Sequence, residues 1–404
     1  MKKMIILLTT GAVLALSPSA FSTNSHSHPS KVVSNVFVSN SGDKTFSLVR
    51  CVSKKRKHRY WFDSRPLIRC KEKQRMDVGF NTSWPANQYQ GKKAWWWTGL
   101  SGEIVGVKAR ASLKQLQNPK KTVFVDTYNV PGGPDSGSNF IGIMPNGRTA
   151  WNSAREVDRI QEIDTNPRSP TFGTILTSIP VPDMDTSSPA TETRGSARPC
   201  DATITPDGRF FMEPDLGGES MTFVDTRTKQ IIHQMLPPLA DGSEKVLPFM
   251  ATTNGKIVLV ENLELDNTYD VWDISRLPDE PQHLKKITQA DGLGVDAQTS
   301  EFTPDGRYAY LIMRGVVDAD PDSPDASRLD VLDVRKWSPT YLEIVNSIKL
   351  PQNCRATTGD FSNDGRFFFA SCTGSNELIV VDSKWQAVVD SVPVGEGPRG
   401  VIVR

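Results

Sequence analysis

After residue 35, apolar and polar positions alternate in short runs along most of the chain. VFVSNSGDKTFSLV (36–49), FSNDGRFFFASCTGSNELIVVD (361–382) and SVPVGEGPRGVIV (391–403) show the pattern best. A period of two over four to eight residues predicts half-buried strands, and the Gly, Asn and Asp between runs predict turns. One turn type recurs six times: Gln90-Gly91-Lys92, Asn146-Gly147-Arg148, Asp207-Gly208-Arg209, Asn254-Gly255-Lys256, Asp305-Gly306-Arg307 and Asp364-Gly365-Arg366. Asn-Gly and Asp-Gly between apolar runs are hairpin turns, because Gly reaches positive φ without strain. After five of these glycines a strand ends in aspartate, at Asp164, Asp225, Asp273, Asp333 and Asp382. The spacing from glycine to aspartate is 17 residues in three copies, 18 in one and 27 in another.

A repeat of this length is sought before any local structure is assigned. Each unit offers four short strands: one before the glycine turn, two more ending near the aspartate, and a fourth at the edge. The seventh unit is split. Residues 391–403 end on a first strand, and 36–49 supply the two that follow it. Four-stranded antiparallel units repeated radially are propeller blades, and closing the ring removes open strand edges. The expected fold is all-β, a seven-bladed β-propeller over residues 36–404, closed by pairing Gly400–Val403 with Val36–Ser39.

The segments VFVSNSGDKTFSLV and VPVGEGPRGVIV resemble the YVTN-type β-propeller repeat. That resemblance covers nearly the whole chain after the leader. It implies the fold, and it implies kinship with bacterial secreted and surface proteins. Related propellers form the d1-haem domain of nitrite reductase and the heavy subunit of quinone-cofactor amine dehydrogenases. A fold that hosts many activities does not select one of them.

Length and composition are those of an ordinary globular protein: 404 residues, 23% charged, net charge +1. Residues 1–22 read as a secretory signal: Lys2 and Lys3, an apolar run from Met4 to Leu16, and the small Ala20 and Ser22 at a cleavage site. The run is too short to span a bilayer comfortably, and no later stretch qualifies. Residues 23–35 read as a flexible tail. The expected location is periplasmic or secreted, where disulfides persist and nucleic acid is not the natural partner.

The departures from the repeat carry charge. Residues 50–75 hold eleven Lys/Arg and two Asp/Glu, against an acidic remainder. Lys54, Lys55, Arg56, Lys57 and Arg59 are candidates for docking a protein partner or an anionic surface, against a merely solvated charge run. A second insertion, 314–330, carries Asp318, Asp320, Asp322 and Asp325. Asp318, Asp320 and Asp322 are candidate calcium ligands, although Ser323 and Leu329 stand where an EF-hand needs Gly and Glu. Calcium is the one cofactor these residues suggest. A third insertion, 180–199, is a Pro/Ser/Thr-rich loop. Strand alternation puts the glycine turns and the basic insertion at one end of the ring. The acidic insertion and the 180–199 loop fall at the other, around the channel mouth.

Five cysteines are an odd set. Cys51 and Cys70 flank the basic insertion, and Cys354 and Cys372 lie on the two arms of one hairpin, which predicts two disulfides and leaves Cys200 over. Aligned on Pro398-Arg399-Gly400, the position of Arg399 is taken by Ser83, Asn139, Cys200, Leu247, Gln298 and Thr357 in the other units. A ring of one Arg, one thiol, amides and hydroxyls is a candidate mouth site for a small anion, against ordinary solvated mouth residues. Cys200 has no visible base beside it in sequence, which argues against a nucleophile. His233 and His283 fall in fourth strands, His58 in the basic insertion, and His26 and His28 in the tail, where only weak metal binding is conceivable; no Cys-x-x-Cys-His occurs. The chain therefore reads as a binding or scaffold module. The alternative is an enzyme or enzyme subunit of the oxidoreductase-propeller type working at the channel mouth.

Overall fold

The computed structural model describes residues 33–54, 67–77, 85–90, 93–99, 104–109, 125–129, 138–166, 168–184, 197–239, 246–263, 267–323 and 325–403. All lie in one compact unit, Val32–Arg404. The leader, the tail up to residue 32, residues 55–66 of the basic insertion, Ser83 and most of the 180–199 loop fall outside the described residues.

The described strands pair into four-stranded antiparallel sheets. Six of these take consecutive strands of the chain. They start with the strands Pro85–Gln90, Ser138–Ile143, Thr203–Ile204, Pro248–Thr253, Ala297–Phe302 and Ala356–Phe361. The remaining sheet joins the ends of the chain, in the order Pro398–Val403, Val33–Asn40, Thr45–Lys54, Leu67–Asp77. Its register sets Val36 opposite Val403 and Ser39 opposite Gly400, the pairing expected from the sequence, with a strand that begins earlier, at Val33. First strands of neighbouring sheets lie side by side.

The core sits between the faces of successive sheets. Tyr310, Ile312 and Val331 of one sheet pack on Phe361, Phe368 and Ile379 of the next. Met212, Phe223, Val258 and Trp272 form the equivalent layer two sheets earlier. Alternation along each strand supplies an apolar side chain to both faces, so second and third strands such as Phe367–Cys372 are buried throughout.

The repeated motifs have a mechanical explanation. Gly147, Gly208, Gly255, Gly306 and Gly365 all have φ between 64° and 85°. In each turn the preceding Asn or Asp accepts the backbone N–H two residues on, as from Arg209 to Asp207 Oδ1 (3.0 Å) and from Lys256 to Asn254 Oδ1 (2.9 Å). The aspartates that end the third strands do the same: Asp225 accepts from Arg227 N–H at 2.9 Å and Asp382 from Lys384 N–H at 3.0 Å. Both motifs are turn devices and leave no chemistry to explain. Cys51 and Cys70 are register partners and are bonded; Cys354 and Cys372 are bonded as well, and Cys200 is in neither bond and is buried.

Candidate functional site

Five of the first strands share an irregularity. Opposite the second strand, register slips by one residue at Asn139, Phe249, Gln298–Thr299, Thr357–Thr358 and Arg399. A bulge re-aims the side chains beside it, and bulges gather at functional rims. Pairing also shows that Phe249, not Leu247, occupies the shared position in its sheet. The positions of the expected mouth ring differ in exposure. Arg399 is exposed, whereas Cys200, Gln298 and Thr357 are buried. Gln298 donates to Asp296 Oδ1 (3.2 Å), and Thr357 shares a hydrogen bond with Thr373 (2.5 Å). Of Asn139 only the strand is described.

Just inside that ring lies a cavity of about 210 Å³. Five first strands and the segment just before Thr203 line it, through Phe140, Asp201, Ala202, Met250, Ala251, Thr252, Thr299, Ser300, Glu301, Thr358, Gly359, Gly400 and Val401. Its described polar side chains are carboxyls and hydroxyls, and among the described residues the lining holds no Lys, Arg or His. Thr252 and Ser300 are hydrogen-bonded to each other at 2.6 Å. Thr358 donates to the Arg399 carbonyl. Gly359 is required here: a Cβ would stand 2.2 Å from the Phe368 ring.

Burial, reinforced by the negative charge of Asp360 on the next first strand, pushes the Glu301 carboxyl well above the ordinary range. Asp360 itself accepts the Val403 N–H at 2.7 Å. Behind the lining, burial and then the Asp215 charge raise Glu213, which accepts from Ser153 Oγ at 2.5 Å. Burial followed by the Asp201 charge raises Glu261. The channel wall is thus rich in carboxyls that favour the protonated form until a cation or donor compensates them. No single repeat carries these groups in one motif, so nothing in the sequence pattern marks them.

The other candidates are placed apart from the cavity. Asp318 receives the Asn353 side-chain amide at 3.0 Å, and Asp322 pairs with Lys349 at 2.5 Å. Asp320 accepts the Asp322 N–H at 2.9 Å. Among the described residues no three His, Cys, Asp or Glu side chains are arranged to hold a metal ion. Arg314 and Arg355, at the same end, both meet Asp296, at 2.6 and 3.5 Å. Lys54 ends its strand opposite Leu67, while Lys55, Arg56, Lys57 and Arg59 lie outside the described residues. His283 is held by buried Asp270 at 2.7 Å and His233 meets the Pro278 carbonyl at 2.7 Å, both on outer strands.

Comparison with solved structures places this arrangement. A candidate 6-phosphogluconolactonase from Bacteroides fragilis superposes with a TM-score of 0.64 at 14% identity, over 92% of this chain and 98% of that one. The periplasmic gluconolactonase of Pseudomonas aeruginosa gives 0.62 at 15%, over 92% and 99%. The dihydro-haem d1 dehydrogenase NirN gives 0.54 at 14%, over 91% and 74%. The fold is that of the β-propellers. At such identities the likeness is one of fold alone. No protein-family model matches the chain, and no curated protein matches it in sequence.

Proposed function

We propose that the chain is an extracytoplasmic seven-bladed propeller of YVTN-like repeats, acting as a binding module for a small protonated amine in its central cavity. The observation that carries this is the lining: Asp201 and Glu301 with four hydroxyls and, among the described residues, no basic side chain, in about 210 Å³. An ammonium group matches both the charge and the acceptors. This reading is separate from the small-anion site expected from the sequence, whose Arg399 is not among the lining residues of this cavity. The two disulfides support the location. Titration calorimetry with 1,4-diaminobutane, glucosamine, glucose and gluconate tests the reading. The amines are expected to bind, with at least tenfold loss in Asp201→Asn and Glu301→Gln. Preference for gluconate, or unaltered affinity in both variants, rejects it.

A second reading is an enzyme. Glu301 beside Asp360 is a pair of carboxyls of unlike environment, the arrangement used for proton transfer. The gluconolactonase fold likeness suggests lactone hydrolysis as the assay, with loss in Glu301→Gln as its signature. For the basic insertion, residues 52–69, we propose docking on an anionic surface or partner. Reversing Lys54, Lys55, Arg56 and Lys57 to Glu is expected to abolish partner capture at low salt with the melting temperature unchanged. Retained capture makes the segment a solvated loop.

A further inference from the structure

At the glycine-turn end, between the sheets that begin at Pro248 and Ala297, lies an open depression of about 740 Å³. It is separate from the central cavity and shares no residue with it. Trp337 stands on its border with 93% of its surface exposed, more than any other large apolar side chain described. An indole left in water forgoes the burial that large apolar side chains otherwise gain.

The loop under Trp337 is built to hold it there. Asp333, fully buried, takes the Arg335 guanidinium in a two-point contact (2.8 and 2.6 Å) and the Ser338 and Thr340 hydroxyls (each 2.6 Å). Arg335 also lies over the Tyr308 ring, 5.0 Å from its centre. The connection between the third and fourth strands is therefore pinned on both sides of Trp337. Its display does not result from slack chain.

The surroundings specify what the indole faces. Lys256, from the glycine turn of the neighbouring sheet, and Lys336 line the depression. Lys336 is held only loosely, 3.8 Å from Asp273, and is mostly exposed. Asn254 and Ser275 add hydrogen-bonding groups. Asp273, which also lines the depression, accepts the Ser275 hydroxyl and faces Lys336, leaving Lys256 as the cation without a carboxylate beside it among the described lining residues. A flat apolar platform flanked by two cations and several hydroxyl and amide groups fits a sugar ring that carries a carboxylate. Its C–H face covers the indole, its hydroxyls meet the polar lining, and its carboxylate meets the lysines. An open depression of this size admits a chain of such rings. The next sheet places Lys384-Trp385 at the matching connection, with Trp385 half-covered by its own lysine at 5.2 Å. Successive uncovered platforms of the kind single-stranded nucleic acid uses are thus not formed there.

We infer that the depression around Trp337, Lys256 and Lys336 is a binding site for an acidic polysaccharide built of uronic acids. The inference does not depend on the central-cavity reading. Affinity electrophoresis of the full chain through gels containing alginate, dextran or poly-dT tests it. Alginate is expected to retard the protein, dextran not to, and poly-dT to do so less. Trp337→Ala is expected to weaken retardation at least tenfold, and Lys256→Ala with Lys336→Ala to weaken it and flatten its salt dependence. All three side chains are exposed, so folding is expected to be retained, with an unchanged melting curve as the control. The variant with Lys54, Lys55, Arg56 and Lys57 reversed separates attraction by the basic insertion from this site. Equal retardation by dextran, preference for poly-dT, no retardation by alginate, or unchanged retardation in Trp337→Ala would each overturn the proposal.

Discussion

Removing residues 395–404 is expected to abolish cooperative unfolding. Pro398–Val403 is the first strand of a sheet whose other strands come from the opposite end of the chain. Val401 and Val403 are buried in one cluster with Val36, Val38, Phe369 and Val380. Two valines contribute about 3–6 kcal/mol by burial alone. Backbone and side-chain bonds add to this: Ser41 N–H to the Gly397 carbonyl (2.9 Å), Gly400 N–H to Ser39 Oγ (2.9 Å), and Thr373 Oγ1 to the Pro398 carbonyl (2.7 Å). Each such bond is worth about 1 kcal/mol net. The sum is comparable with the whole stability of an ordinary domain, about 5–15 kcal/mol. The truncation also strands Asp360 without the Val403 N–H. Calorimetry and circular dichroism of the truncated chain provide the measurement. A sharp transition at the parent temperature would show that the end-to-end sheet is dispensable.

The second large effect is a stability that falls as pH rises from 5 to 8. Burial pushes Asp215 up to about 7, although Thr222, Ser220 and Gln234 donate to it and oppose the rise, and Asp158 adds a like charge. A carboxyl whose folded value is raised stabilises the protein fully below its unfolded value, near 3.8, and loses that contribution as pH climbs to the folded value. For Asp215 the change is of order 4 kcal/mol, more than half of it between pH 5 and 7. Glu213, Glu261 and Glu301 act in the same direction. The depressed carboxyls, among them Asp207, Asp273 and Asp333, lose their contribution only in stronger acid. Melting temperatures are therefore expected to decline from pH 5 to 8, and Asp215→Asn to flatten the decline. A flat or rising profile, or a variant with the parent slope, would refute the assignment.

The architecture was legible because turns and strand alternation are local. Asn254-Gly255-Lys256 announces a hairpin from three residues, and Cys51 and Cys70 announce a bond because they flank one loop. The cavity was not legible, for two physical reasons. A one-residue slip at Gln298, Thr357 and Arg399 changes which side chains face inward, and an alignment on Pro-x-Gly cannot register a bulge. Moreover Asp201 directly follows Cys200, whereas Glu301 lies three residues past Gln298, so no common spacing links them. The display of Trp337 was not legible either; only the loop anchored on Asp333 shows that it is held out into water.

The sheet shared by the two ends of the chain also sets a schedule for biosynthesis. Val33–Asn40 is made early, yet its partner Pro398–Val403 is made about 360 residues later. At translation rates of about 5–20 residues per second, that is a wait of roughly 20–70 s. During it the nascent chain presents Val36, Phe37 and Val38 on a strand with one open edge, a template for wrong partners. Thr45–Lys54 can pair with one edge of this strand at once, and the Cys51–Cys70 bond can fix the hairpin that follows, but its other edge stays open until translation reaches residue 403. Cellular yield should therefore depend on whatever shields this segment in the meantime.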